Sequence, residues 1–270
     1  MNSRQNLGVI GCGRMAYALL AGLTRSGHQF ARLVGSDVDA ARTELCARDF
    51  GMQVAASNAE VAGSADVLVL AVKPAQVPLV LDDIRDRVRP GTLLVSIAAG
   101  VATSDIERRL PAGVAVVRVM PNTPCLVGEG ASAVARGASA SAADEGLVLQ
   151  MFAALGQAVA VPESAMDAVT ALSGSGPAYV YLVAEAMVDA GVEVGLPRDL
   201  ARALALQTLK GSVAMLQTTG EHPAVLREQV TSPGGTTIAG LRQLEEGGLR
   251  AAFFRAVRSA YQRSIELGRG

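Results

Sequence analysis

Aromatic residues are scarce in this 270-residue chain: there is no tryptophan, and five phenylalanines and four tyrosines make up 3% of it, although half of it is hydrophobic. Its core must therefore be assembled from Ala, Val and Leu. Three cysteines, Cys12, Cys46 and Cys125, are odd in number and have no close pair, which excludes a disulfide framework or a thiolate zinc site. Two isolated histidines, His28 and His222, exclude a His-based metal centre, so no metal is expected. Lys73 and Lys210 are the only lysines among 24 basic residues, and the formal net charge is -1. That balance gives no electrostatic reason to expect nucleic acid or an anionic membrane as partner. The longest apolar run, residues 178–188, is interrupted by Glu185 and is too short to span a bilayer. Residues 1–6 are polar and lead straight into a short apolar strand, unlike a signal peptide, so a reducing cytoplasm is expected.

Strand-like and helix-like segments alternate through the first half. Short β-branched runs at 7–10, 32–36, 54–56, 67–72, 93–98 and 114–120 predict strands. Helical patterns fall between them at 14–26, 38–49, 59–63, 75–88 and 104–110. Ser104 and Glu107 have the spacing of a capping box, and Gly27 and Gly51 stand where helices should end. A strand at 131–135, a helix at 142–155 and a strand at 157–161 complete this part. Such alternation predicts a mostly parallel sheet covered by helices. After Pro162 only helical patterns remain, at 165–172, 177–190, 198–218, 223–230, 238–246 and 249–267. The expected domains are 1–161 and 162–270. The 177–190 helix is apolar nearly all round, which predicts a subunit interface.

Gly8-Val9-Ile10-Gly11-Cys12-Gly13-Arg14-Met15-Ala16 carries G-x-G-x-x-A between the first strand and the first helix. The first glycine of the motif makes a tight turn, the second admits a pyrophosphate, and the last position allows close packing. Three further segments reach the carboxyl edge of the sheet, where ligands of such sheets bind: Ala71-Val72-Lys73-Pro74, Ser96 to Gly100, and Arg118 to Pro124. The second strand ends at Ser36-Asp37. An acid there would bond the ribose 2′-hydroxyl of NAD, while an Arg would favour NADP. Arg42 is one helical turn away, so the cofactor stays open, as does the plainer reading of Asp37 or Asp39 as a helix cap.

Val230-Thr231-Ser232-Pro233-Gly234-Gly235-Thr236-Thr237 forms a second Gly-rich helix start. Pro233 halts what precedes it, the glycines turn the backbone with positive φ expected at Gly235, and the threonines stand at the cap. Exposed N–H groups there suit an anion.

Together these segments resemble the pyrroline-5-carboxylate reductase family. The resemblance is carried by the fingerprint, Ala71 to Pro74, Ser96 to Val101 and Met120-Pro121-Asn122-Thr123-Pro124. Leu172-Ser173-Gly174-Ser175-Gly176-Pro177-Ala178-Tyr179 and Val230 to Thr237 complete it, and the likeness spans essentially all 270 residues. The resemblance implies an α/β chain: an N-terminal Rossmann-type, mostly parallel sheet, then a C-terminal all-helical dimerisation domain, with dimers often assembled into rings. It implies reduction of 1-pyrroline-5-carboxylate to L-proline, the last step of proline biosynthesis, with NADPH, or alternatively NADH. Carried over, Ile10, Gly11, Cys12, Gly13, Arg14 and Met15 would hold the pyrophosphate, and Ser36 and Asp37 the adenosine ribose. Asn58, Ala71, Val72, Lys73, Pro74, Ile97, Ala98 and Ala99 would line the nucleotide, with Gln229 near it. Glu163, Ser232, Gly234, Gly235, Thr236 and Thr237 would meet the substrate, Thr237 as the catalytic hydroxyl. The chain departs from many relatives in lacking an Arg directly after Asp37.

Hydride transfer to a protonated cyclic imine needs positioning more than acid–base apparatus. The Gly234–Gly235 backbone suits a carboxylate, Thr236 or Thr237 could bond the ring nitrogen, and Glu163 could support an iminium charge or be a plain surface acid. Ser173 and Ser175 are read as helix caps. Two other readings are another imine or hydroxyacid reductase on the same plan, and a non-catalytic dinucleotide sensor. A β-hydroxyacid dehydrogenase would need a lysine in the 177–190 helix, which has none; a sensor has no use for the anion site at 234–237.

Overall fold

The computed structural model describes residues 5–268; the start of the polar N-terminal stretch lies outside them. Contacts divide the chain into two compact units, Met1–Ser175 with Ala260–Gly270, and Gly176–Ser259.

The first unit is built on one sheet of eight strands: β1 (Asn6–Ile10), β2 (Arg32–Ser36), β3 (Gln53–Val54), β4 (Val67–Leu70), β5 (Leu93–Ser96), β6 (Ala115–Met120), β7 (Gly130–Arg136) and β8 (Gly156–Ala160). Their order is β3-β2-β1-β4-β5-β6-β7-β8. All neighbours are parallel except β6 and β7. The expected strands are therefore present, with ends shifted by a few residues. Side-chain alternation explains how the sheet is covered on both faces. Leu7, Val9, Val67, Val69, Leu93, Val95, Val117 and Val119 join one buried cluster. Their neighbours Ile10, Leu68, Leu70, Leu94 and Val116 join another. Helices α1 (Arg14–Arg25) and α6 (Ala142–Ala153) supply Leu19, Leu23, Met151 and Phe152 to the first cluster. Helices α3 (Asn58–Ser64) and α4 (Val77–Ile84) supply Val61, Leu81 and Ile84 to the second.

Helix α2 (Ala40–Phe50) starts at an Asp39 cap and ends at Gly51, as expected of that glycine. Gly27 follows the Ser26 cap of α1, and His28 N–H reaches Leu23 O across it, a Schellman closure. The capping box expected from Ser104 and Glu107 does not form. Helix α5 (Thr103–Glu107) is capped two residues earlier, by Ala102, which has no side-chain acceptor. Glu107 instead accepts the Ser139 N–H at 2.9 Å, a long-range bond that removes it from local capping.

After β8 come a 3₁₀ turn (Glu163–Ala165), the short α7 (Met166–Val169) and a π-turn (Thr170–Gly174). The second unit then runs through α8 (Gly176–Glu193), α9 (Arg198–Thr219), α10 (Pro223–Gln229), α11 (Thr236–Glu246) and the start of α12 (Leu249–Gly268). No described helix is long and apolar enough to cross a membrane.

Candidate active site

Ile10 pairs with Ser36 on one side and Leu70 on the other; Leu70 pairs with Ser96, and Ser96 with Arg118. One row of the sheet thus brings the ends of β1, β2, β4 and β5 level with Arg118 of β6, and the strand order reverses between β1 and β4, the place at which such sheets bind ligands beyond the carboxyl edge. Gly11, Ala71 and Ile97 follow that row and continue its hydrogen bonding: Gly11 N–H to Ser36 O, Ala71 N–H to Ile10 O and Ile97 N–H to Leu70 O, at 2.8, 2.8 and 3.1 Å. Gly11 has φ +90°, and a Cβ on it would stand 2.6 Å from Ala71 O, so only glycine fits this turn. Gly13 caps α1 without a side-chain bond, and nothing lies within 4 Å of where its Cβ would be. An uncapped helix start facing open backbone fits a dinucleotide pyrophosphate. Arg14 is exposed and Met15 half-buried beside it. Val72, Lys73, Pro74, Ala98 and Ala99 flank the same edge, Lys73 and Pro74 exposed and Ala98 buried.

At the end of β2, the two aspartates divide the work left open above. Asp39 caps α2, accepting the Ala41 N–H. Asp37 turns inward, with its side chain 6% exposed. It accepts the Cys12 N–H at 2.7 Å and the Asp39 N–H at 2.9 Å. Asp37 therefore braces the glycine loop, while Arg42 pairs with Asp39 at 3.1 Å and approaches Asp37 at 3.8 Å. Ser36 Oγ donates to Asn58 Oδ1 at 2.8 Å, and Asn58 Nδ2 donates to Asp83 at 3.0 Å, so Ser36 and Asn58 form one chain of bonds.

Glu163 opens the 3₁₀ turn after β8. Its Oε1 accepts Arg118 Nη1–H at 2.9 Å and the Thr103 N–H at 3.2 Å, the second of which is the first free N–H of α5. The sequence marks Arg118 only as the start of a segment at the sheet edge and gives it no role, because its partner lies 45 residues away. Asn122 is a second such residue: its amide donates to Ser173 O at 3.1 Å and accepts the Ala131 N–H at 2.9 Å, tying the π-turn to β7. Ser173 is not a helix cap. Its hydroxyl bonds back to Val169 O at the end of α7, and Ser175 N–H closes the π-turn onto Thr170 O.

In the second unit, Gln229 ends α10, and residues 232–235 form a turn closed by Gly235 N–H to Ser232 O at 3.1 Å. Pro233 and Gly234 occupy its central positions, with Gly234 at φ +65°, the pattern of a type II turn. Two local expectations change here. The positive φ belongs to Gly234, while Gly235 is extended at φ -77° and ψ 175°. Gly235, not a threonine, is the N-cap of α11, so Thr236 and Thr237 are its first helical residues. With no side-chain cap, the first-turn N–H groups of this eleven-residue helix remain available to a ligand. Ser232 and Thr236 are exposed and Thr237 half-buried.

All three cysteines are buried free thiols. Burial, aided by Cys46 and Asp37, pushes Cys12 up to about 12, and burial likewise raises Cys46 and Cys125. None is a thiolate nucleophile at neutral pH.

Residues 163–267 match the family model for pyrroline-5-carboxylate reductase dimerisation, and residues 6–100 match that for NADP oxidoreductase, coenzyme F420-dependent. The pyrroline-5-carboxylate reductase of Methanosarcina acetivorans is 45% identical over 98% of both chains. The chain belongs to the pyrroline-5-carboxylate reductase family. The Arabidopsis thaliana member is 41% identical, covering 97% of this chain and 95% of its own. Among solved members of the family, that of Coxiella burnetii superposes with a TM-score of 0.92 at 35% identity, over 97% of this chain and 98% of its own. The Plasmodium falciparum structure, with NADP bound, gives 0.87 at 35% identity over 98% of each chain.

Proposed function

We propose that the protein is a pyrroline-5-carboxylate reductase, an oxidoreductase that forms the CH–NH bond of L-proline from 1-pyrroline-5-carboxylate. The observation that carries this reading is identity above 40% to reductases of that name across nearly the whole chain. A reduced nicotinamide, when bound, supplies hydride to the imine carbon. The protein's tasks are to bind, orient and keep water away.

In this reading the loop from Ile10 to Met15 holds the pyrophosphate of NADPH or NADH on backbone N–H groups. Ser36 meets the adenosine ribose, with Asp37 acting through the Cys12 N–H it braces. Asn58, Ala71 to Pro74 and Ile97 to Ala99 line the nucleotide, and Gln229 reaches it. Ser232, Gly234, Gly235 and Thr236 take the substrate carboxylate at the start of α11, where its charge meets the positive helix end. Thr237 Oγ1 bonds the ring nitrogen, and Glu163 balances the charge of the protonated imine. The functional division falls at 161/162, the helical half pairs two copies, and pairs can build a ring in the cytoplasm.

The test is oxidation of NADPH and of NADH, followed at 340 nm as is standard, with 1-pyrroline-5-carboxylate as substrate and L-proline identified as product. Turnover of a β-hydroxyacid in place of the cyclic imine would reject the reading.

A further inference from the structure

Arg118 projects from β6 on the same face as Val116 and Met120, both packed in apolar clusters. Its side chain is only 6% exposed. A guanidinium cannot shed its proton, so at such a depth it needs a counter-ion. Glu163 is that counter-ion, and the way it is held is one-sided. Oε1 receives both available donors, Arg118 Nη1–H and the Thr103 N–H. Oε2 is buried and has no partner, although the Glu163 side chain as a whole keeps 30% of its surface. Arg118 Nε and Nη2 are likewise buried without partners, so the arginine is not there to complete a local network. A position needing only packing would be served by an apolar side chain such as those at 116 and 120, and exchanging a buried ion pair for apolar groups is often neutral for stability.

We infer that Arg118 is a positioning residue for the reduction: with the Thr103 N–H it clamps one oxygen of Glu163 and so reserves the other for a donor brought by the substrate. This rests on the reading of Glu163 as a substrate contact. The donor that fits is the second N–H of the product's secondary ammonium, the first meeting Thr237 Oγ1; the single N–H of the protonated imine is shared between these two acceptors. A carboxylate left to rotate would present either oxygen in many directions. Fixed through Oε1, it presents Oε2 in one.

Four variants of the full-length enzyme test this: Glu163→Gln, Arg118→Met, Arg118→Lys and the double variant Arg118→Met/Glu163→Gln. The readouts are kcat, KM for pyrroline-5-carboxylate and for NADPH, calorimetric binding of L-proline, and melting temperature. Losing a hydrogen bond to a charged group should raise KM for the imine and weaken L-proline binding by at least about tenfold in Arg118→Met and in Glu163→Gln, with KM for NADPH unchanged. The double variant should be no worse than Glu163→Gln alone, and Arg118→Lys should recover part of the loss. If Arg118→Met does not fold, Arg118→Lys carries the comparison, because it keeps the charge but loses the planar fork. Arg118→Met that melts lower yet keeps wild-type kinetics, while Glu163→Gln does not, overturns the inference and leaves Glu163 as a substrate contact. Effects that multiply in the double variant overturn it too. Glu163→Gln with unchanged KM and L-proline binding rejects the reading of Glu163 itself.

Discussion

Thr237 stands second in α11, directly after a cap that has no side chain of its own, so its hydroxyl is not needed for capping. If it bonds the ring nitrogen, Thr237→Ala loses one hydrogen bond to a charged group, worth about 1.5–3 kcal/mol. The expected result is a kcat/KM for pyrroline-5-carboxylate lower by roughly ten- to a hundredfold. Dinucleotide affinity, measured by fluorescence titration, should stay as it was, and full retained kcat/KM would reduce the turn to a carboxylate cradle. Cys12 offers a second test at this scale. Its backbone N–H braces the glycine loop through Asp37, while its thiol is held up at about 12, chiefly by burial. At neutral pH it should resist iodoacetamide until the protein unfolds. The sign of its pH dependence follows from which state keeps the proton. Between the unfolded value of 9.0 and about 12 the folded chain is the more protonated, so stability falls as pH rises through that window. Urea midpoints at pH 8 and pH 10.5 should show a smaller fall in Cys12→Ala than in the parent; an equal fall would assign the slope to other groups.

The turn before α11 gives adjacent glycines different reasons for being glycine. Gly234 needs its left-handed φ of +65°, and nothing lies within 4 Å of its missing Cβ, so Gly234→Ala should cost conformational energy alone, about 1–2 kcal/mol. Gly235 is extended, and a Cβ there would collide with Ser232 Oγ, which can rotate away. Gly235→Ala should therefore leave the denaturation midpoint nearly unchanged but raise KM for pyrroline-5-carboxylate, by displacing the Ser232 hydroxyl proposed to meet the substrate. Equal midpoint losses in the two variants would refute that division. That both positions are glycine is legible in the sequence; which of them carries positive φ is not, because either assignment allows a turn. The same limit holds elsewhere. Apolar runs locate all eight strands, most clearly β4 and β5, where burial on two faces leaves a continuous signal, but they overrun the ends at 71–72 and 97–98, where apolar residues continue after pairing stops. Ser104 and Glu107 have capping-box spacing, yet tertiary partners take over: Glu107 goes to Ser139, and Glu163 caps from 60 residues away. Motif residues of the dinucleotide loop are local and readable; Arg118, Thr103 and Asn122 act through partners distant in sequence and leave no periodic trace.

At the level of the whole chain, the first unit owns three buried clusters, while in the segment 176–259 only Ala201 and Ala205 are buried. The helices there leave large apolar side chains open, with Val180, Leu182, Leu204 and Phe254 54%, 66%, 51% and 74% exposed. So much apolar surface on one unit marks an association face, and the matched dimerisation model spans the same segment. The apolar α8 read from the sequence belongs to that face. Leu182 separates folding from association, because in a single chain it touches too little to matter for the fold. Leu182→Asp should leave the helix content of the isolated chain unchanged, while in a pair of copies it would bury an unpaired carboxylate, costing several kcal/mol. Sedimentation should then show a parent that is a dimer or larger, with a concentration-dependent melting temperature. The variant should dissociate at micromolar concentration and lose activity with dissociation, recovering part of it at high protein concentration. A parent that sediments as an active monomer would reject pairing through this face, and a Leu182→Asp variant as large as the parent would move the interface to another helix.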